Sequence, residues 1–343
     1  MKTFEHLLRP NIRSLQPYST ARDEFQGEAS IFLDANESPY NMYNRYPDPM
    51  HHKARNRVSI LKDIAPGHIF LGNGSDEAID LVMRAFCEPA VDNIVTITPS
   101  YGMYKVAADI NNVECRQVAL RSEDFSLDAN AVLDAADEHT KVVFLCSPNN
   151  PTGNLLQKEE VYRILKYFKG IVVVDEAYID FAGALSLIRE LASYPRLVVL
   201  QTFSKAWAMA ALRLGMAFAS PGIISIMYRI KYPYNLNIFT TEYLLHRLDG
   251  NNQVEEQVKE LLSQKDVLMK ELVKYPFVEK VYPSDTNFLL VKVKDANALY
   301  NYLLEKKIVV RNRHTLPLCE NCLRITVGAP EENSRLLHAL SAY

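Results

Sequence analysis

Three short apolar runs end in side chains that can hold and activate an aromatic coenzyme. The run 142–145 leads into Ser147-Pro148-Asn149-Asn150-Pro151-Thr152-Gly153, and the run 171–174 into Asp175-Glu176-Ala177-Tyr178. A third, 197–200, leads into Thr202-Phe203-Ser204-Lys205-Ala206-Trp207, with Arg213 shortly beyond. A lysine, an aspartate, a tyrosine and an asparagine at strand ends are what pyridoxal phosphate requires of a protein. That coenzyme is an electron sink once an amine is joined to its aldehyde.

Lys205 supplies the amine and afterwards a proton carrier at the substrate's Cα. A lysine is ordinarily solvated surface, but this one follows a buried strand and is flanked by Phe203 and Trp207. Asp175 can face the ring nitrogen and keep it protonated; the plainer reading is a cap on the next helix. Tyr178, three positions on, points to the same side, and with Asn150 it can donate to the ring oxygen. Catalysis thus falls to Lys205, Asp175 and Tyr178. The stretch Gly72-Asn73-Gly74-Ser75-Asp76-Glu77 lacks the third glycine of a dinucleotide fingerprint. It still opens a helix whose free N–H groups suit an anion. Gly74, Ser75 and Asp76 therefore read as phosphate binders, with Thr202, Ser204 and the fixed charge of Arg213; a simple cap by Ser75 is the alternative. Tyr101 can stack on the coenzyme ring or be a core tyrosine. Arg324, within Leu323-Arg324-Ile325-Thr326-Val327-Gly328, sits in an alternating strand where arginine is usually exposed. It can instead clamp an anionic substrate group by a two-toothed contact.

These residues need a frame. Further apolar runs at 69–71 and 94–97 precede polar turns, and 78–86 reads as a helix. Strands that are apolar throughout, alternating with helices, indicate a mostly parallel sheet covered on both faces. Ligands of such sheets collect at the carboxyl ends of the strands. Val254, Val258, Leu261, Leu262, Leu268 and Leu272 recur at helical spacing and predict a long amphipathic helix that stops near Pro276. Strand 287–293, helix 295–306, strands 308–311 and 323–327 and helix 330–340 predict a small α/β domain. The division expected is an N-terminal arm over 1–30, wrapping the site or a partner subunit, a large coenzyme domain over 31–250, a connecting helix over 251–276, and a small domain over 277–343.

With 343 residues, 48% hydrophobic and 23% charged, the chain can bury a large core. A net charge of −3 gives no electrostatic reason to expect nucleic acid or an anionic membrane as partner. The first residues lack the apolar stretch of a secretion signal. The apolar segment 207–227 is interrupted by Arg213 and Pro221-Gly222, which favours two short buried elements over a membrane span. Five cysteines, with Cys87, Cys115 and Cys146 scattered, suit a reducing cytoplasm. Cys319-Glu320-Asn321-Cys322 is a lone pair without further ligands, read as two thiols flanking a turn rather than a metal site.

Taken together, these motifs resemble the fold-type I aminotransferases. Leu33-Asp34-Ala35-Asn36-Glu37 and Asn44-Arg45-Tyr46-Pro47-Asp48-Pro49 are similar to the histidinol-phosphate aminotransferase branch. The resemblance covers about residues 9–330. It implies a homodimer in which Tyr46 reaches the coenzyme phosphate of the neighbouring subunit, with Lys205 bonded to the coenzyme. It implies that Arg324 holds the phosphate of histidinol phosphate and the carboxylate of glutamate or 2-oxoglutarate in turn, with Tyr18 and Asn36 near the substrate's head. Arg311 and Arg313 add positive charge nearby. The rivals on the same scaffold are an aromatic amino-acid aminotransferase and a threonine-phosphate decarboxylase. A ligand-sensing regulator that keeps the coenzyme domain would be expected to carry a DNA-binding module, for which the sequence shows neither room outside the fold nor a basic cluster, and a nicotinamide dehydrogenase lacks its glycines.

Overall fold

In the computed structural model, which describes residues 4–19, 29–249 and 252–343, the apolar runs assemble side by side. Seven strands form one sheet: β1 (Ile69–Asn73), β2 (Asn93–Thr98), β3 (Glu114–Ala119), β4 (Thr140–Cys146), β5 (Ile171–Asp175), β6 (Leu197–Thr202) and β7 (Leu214–Ala219). Their order is β1-β7-β6-β5-β4-β2-β3. Pairs from β6 across to β3 are parallel, and β7 alone runs against both its neighbours. The fold class is α/β, as expected.

Alternation along each strand explains why the runs are apolar throughout. Val143, Leu145, Val172, Val174, Leu197 and Val199 face one core with Val161 and Ile164 of the helix Lys158–Tyr167. Val142, Phe144, Ile171, Val173, Val198 and Leu200 face a second core with Ile79 and Val82 of the helix Gly74–Phe86. Successive side chains point to opposite faces, so a sheet covered on both sides favours apolar residues at every position of a strand's middle. Each such side chain contributes about 1.5–3 kcal/mol on burial, which anchors the polar strand ends.

The second sheet is antiparallel, in the order β10-β11-β9-β8, from β8 (Val278–Val281), β9 (Phe288–Val293), β10 (Arg311–Asn312) and β11 (Cys322–Thr326). The helix Asn252–Leu272 joins the two regions physically. Val254 lies in the first core, while Leu268 and Leu272 lie in the core of the small sheet. Phe288 and Leu290 of β9 also pack into the first core, so the two sheets share apolar contact.

Several elements depart from expectation. The strand expected over 308–311 shrinks to Arg311–Asn312, because the Ile308 N–H bonds back to the Leu303 carbonyl at 2.8 Å and closes the preceding helix. β3 and β8 carry too many polar residues to register as apolar runs. Segment 207–227 contains β7 and the helix Pro221–Ile230, the two short elements anticipated. Among the described residues no helix is long and apolar enough to cross a membrane. In the expected N-terminal arm, Phe4, Leu8 and Ile12 are buried in the second core rather than over the site. Residues 1–3 and 20–28 of that arm lie outside the described residues.

Candidate active site

The ends of β4, β5 and β6 converge because the strands are neighbours in register. Cys146 pairs with Asp175, and Asp175 with Leu200. Above them lies a cavity of about 570 Å³, a size suited to a small molecule and its reaction partner. Gly74, Ser75, Asp76, Tyr101, Asn150, Asp175, Tyr178, Thr202, Ser204, Lys205, Arg213 and Arg324 all line it. Both sheets contribute.

Lys205 stands at the centre. Buried Phe203 and Trp207 meet edge-on with ring centres 5.3 Å apart and pin the turn that carries it. It is exposed and lines the cavity, with the ammonium 5.6 Å from the centre of the Tyr178 ring. It makes no ion pair among the described residues. Enclosure by the cavity wall, then Arg324 and Arg213, holds its amine below the ordinary lysine range, against the pull of Asp175 and Asp76. Such an amine sheds its proton more readily.

Asp175 is buried at the end of β5. Its Oδ2 accepts from the Tyr104 hydroxyl at 2.8 Å and its Oδ1 from the Ala177 N–H at 3.1 Å. Burial pushes its carboxyl up to about 6, and Tyr104, the Ala177 N–H and Lys205 work against that rise. The Ala177 bond closes a local turn and does not cap the helix that follows, Ile179–Phe181, which starts after Tyr178 without a side-chain cap; the other oxygen is committed to a buried phenol. Tyr178 is buried against Phe288, with centroids 5.2 Å apart, and burial raises its phenol.

An anion cradle forms at the start of the helix Gly74–Phe86. Gly74 has φ +71°, which favours glycine, and a Cβ there would lie 2.9 Å from a terminal nitrogen of Arg213. Gly215 of β7 lets that helix start approach. A Cβ at Gly215 would come within 2.2 Å of the Gly74 carbonyl carbon and the Ser75 nitrogen. Arg213 lies 3.5 Å from Asp76, whose other oxygen accepts from the Tyr101 hydroxyl at 3.0 Å. The Ser204 N–H is bonded to the Thr202 hydroxyl at 3.0 Å. An amine, a buried carboxylate and a cationic glycine cradle, all on one cavity, are a donor set that fits pyridoxal phosphate.

The small sheet supplies the opposite wall. Arg311 pairs with Arg324 across β10 and β11, and the Arg313 N–H continues the ladder to the Cys322 carbonyl at 2.9 Å. Three arginines thus share one face and line the cavity. Arg324 donates to Asn150 Oδ1 at 2.5 Å and lies 5.1 Å over the Phe288 ring. The Nε atoms of Arg313 and Arg324 are buried without partners. Burial, with Arg324 and Arg311 adjacent, lowers Arg313 to about 10.

Three expected residues stand outside this cavity. Tyr46 is exposed and stacks on Tyr234 at 4.4 Å, and Tyr18 and Asn36 are exposed. Glu37 ties their two motifs together, accepting from Arg45 at 2.6 Å and from the Tyr46 N–H at 2.8 Å. Tyr104 and Cys146 were missed by sequence reasoning. Cys319 and Cys322 are buried free thiols in a turn, with the Cys322 N–H on the Cys319 carbonyl at 2.9 Å.

Residues 30–340 match the family described as aminotransferase class I and II. The chain is 59% identical to the histidinol-phosphate aminotransferase of Parabacteroides distasonis over 99% of each sequence. It is 56% identical to that of Bacteroides thetaiotaomicron over 100% of this chain and 99% of the relative. Among solved structures, the histidinol-phosphate aminotransferase from Clostridium acetobutylicum superposes with a TM-score of 0.81 at 26% identity, covering 88% of this chain and 90% of that one. The Sinorhizobium meliloti histidinol-phosphate aminotransferase, solved in complex with pyridoxal-5'-phosphate, agrees in fold with a TM-score of 0.80 at 23% identity, over 87% and 82% of the two chains.

Proposed function

The chain belongs to the class I and II aminotransferase family, and from that premise we propose that it transfers the amino group of L-histidinol phosphate to 2-oxoglutarate, a step of histidine biosynthesis. The observation that carries this reading is the facing of two charge systems across one cavity. Lys205 and Asp175 stand on the large sheet, and a face of three arginines, Arg311, Arg313 and Arg324, stands on the small one.

Pyridoxal phosphate, when bound, supplies the electron sink for the pair left at Cα as its proton departs. Ser75, Asp76, Thr202, Ser204 and Arg213 hold its phosphate, the first two through backbone and hydroxyl groups, while Gly74, whose own N–H is bonded to the Arg213 carbonyl at 2.8 Å, shapes the turn that presents them. Tyr101 flanks its ring, and Asn150 and Tyr178 donate to its ring oxygen. Asp175, ionised, keeps the ring nitrogen protonated, and this fixed charge stabilises the electron-rich state without reorganisation. Lys205 would take the Cα proton and carry it two bonds away, across the intervening nitrogen to the coenzyme's former aldehyde carbon, a role that its depressed basicity favours. Arg324 grips the phosphate of one substrate and the distal carboxylate of the other, its fork aimed by Asn150. Residues 31–250 are the domain that carries the coenzyme, and 277–343 the domain that brings the arginines.

We further read the enzyme as a cytoplasmic homodimer in which Tyr46 serves the neighbouring subunit's coenzyme phosphate, with Tyr18 and Asn36 near the substrate. Their exposure outside their own cavity supports this assignment, and five free cysteines support a reducing compartment. A half-reaction panel tests the function. The coenzyme's visible absorbance should change fast with histidinol phosphate and slowly with phenylalanine, tyrosine and threonine phosphate. Faster turnover of phenylalanine, or carbon dioxide release from threonine phosphate, would overturn it.

A further inference from the structure

We propose that Tyr104 is a positioning residue for Asp175, fixing the plane of its carboxylate and holding it ionised through a hydrogen bond from a buried phenol. The inference rests on the reading of Asp175 as partner of the coenzyme's ring nitrogen.

Tyr104 lies in the first turn of the helix Met103–Ile110 and has no exposed surface. Its ring stacks on Phe144 of β4 at 5.0 Å and 20°, and meets Tyr101 edge-on at 5.6 Å. Packing thus fixes where the hydroxyl sits, and it sits 2.8 Å from Asp175 Oδ2. Oδ1 is held by the Ala177 N–H on the other side. A carboxylate gripped at both oxygens cannot turn about its terminal torsion, yet each oxygen retains a further acceptor site for a group in the cavity.

The chemistry of the donor matters as much as its place. An arginine or lysine here would cancel the charge of Asp175 and compete with a protonated ring nitrogen for it. A phenol steadies the anion and leaves its charge intact. Burial, reinforced by Asp175 itself, pushes the Tyr104 proton well above the ordinary phenol range, so the group stays a donor at every working pH. The other groups facing Asp175 cannot do this. Asp76 opposes ionisation, and Lys205 favours it but has its own role in the cavity. Cys146 beside it on β4, Tyr101 and Tyr178 are all neutral, each pushed upward by burial first.

A merely structural tyrosine would also seek a partner for its hydroxyl, so the test must read more than stability. In Tyr104→Phe, loss of a charge-assisted bond should raise the Asp175 titration by about 1–2 pH units. Infrared difference spectra of the apoprotein read that titration, with Asp175→Asn identifying the band. Equilibrium dialysis should show coenzyme binding weakened about tenfold, a coupling near 1.4 kcal/mol. In the Asp175→Asn background the same substitution should change affinity less than about twofold, since its partner is gone. If Asp175→Asn alone leaves coenzyme affinity unchanged, the reading of Asp175 falls and takes this inference with it. If Asp175→Asn weakens binding while Tyr104→Phe moves neither titration nor affinity, only the inference is overturned. Wild-type protein gives an independent readout should the variant not fold. The Tyr104 hydroxyl proton should resonate far downfield and shift as Asp175 titrates, and a resonance indifferent to that titration would also overturn the proposal.

Discussion

Asp175 is kept in a state that its surroundings oppose. Its carboxyl is raised to about 6 in the fold, chiefly by burial, from an ordinary value near 3.8. The folded protein therefore binds this proton more tightly than the unfolded chain does, and stability falls as pH rises through that window. Asp175→Asn removes the titration. Relative to wild type, its unfolding free energy should improve by roughly 2–3 kcal/mol between pH 4 and pH 7.5, while transamination collapses. Thermal melts of the two apoproteins across that range check it, and a pH-independent gap would contradict the assignment. Activity has the opposite sign: it needs the ionised carboxylate, so the rate should fall on acidification, at a lower pH than the apoprotein titration because a protonated ring nitrogen beside Asp175 favours the anion. Lys205→Ala makes the complementary case. Loss of the proton carrier should cost about 10²–10⁴-fold in rate or more. Borohydride should fix the coenzyme to wild-type protein on the peptide that contains Lys205, and leave the variant unlabelled.

At the scale of elements, the sensitive point is the contact between β7 and the start of the helix Gly74–Phe86. Gly215→Ala forces a methyl against backbone atoms that no rotamer change can relieve. It should destabilise the fold by about 1–3 kcal/mol and weaken coenzyme binding by displacing the anion cradle; unchanged affinity at a lowered melting temperature would confine Gly215 to packing. This contact also marks what a sequence reader could and could not see. The apolar runs of β4, β5 and β6 were legible because both faces of the sheet are buried, so the polar residues that end them stood out. β3 was invisible because it lies at the sheet edge with half-polar composition, and β7 was foreseen only as one of two short buried elements because its apolar residues merge with those of the helix after it. Tyr104 was hidden for a different reason: nothing in a buried tyrosine's sequence neighbourhood says which distant carboxylate it meets. Arg311 and Arg313 were visible as charges, but only the pairing of Arg311 with Arg324 places them on one face.

The whole molecule poses the question of a partner. Leu33, Tyr40, Met42, Tyr43 and Tyr46 are exposed on the stretch joined by Glu37, an apolar surface of the kind that marks an interaction site. Tyr46 stands outside its own cavity, so a role at a coenzyme phosphate requires a second copy of the chain. Hybrid dimers decide whether that role exists. Lys205→Ala and Tyr46→Ala proteins each lack one component, and in a two-fold dimer with shared sites the deficiencies fall on opposite sides. One site of each hybrid would combine the intact Lys205 of one subunit with the intact Tyr46 of the other, while its second site would lack both. Random re-association of equal amounts yields hybrids as half of all dimers, so about a quarter of wild-type activity should return at limiting coenzyme. If Tyr46 acts within its own subunit, every hybrid site carries a defect and the mixture should be no more active than the mean of its parents. Activity measured after unfolding and joint refolding, against the two proteins mixed without exchange, separates these outcomes.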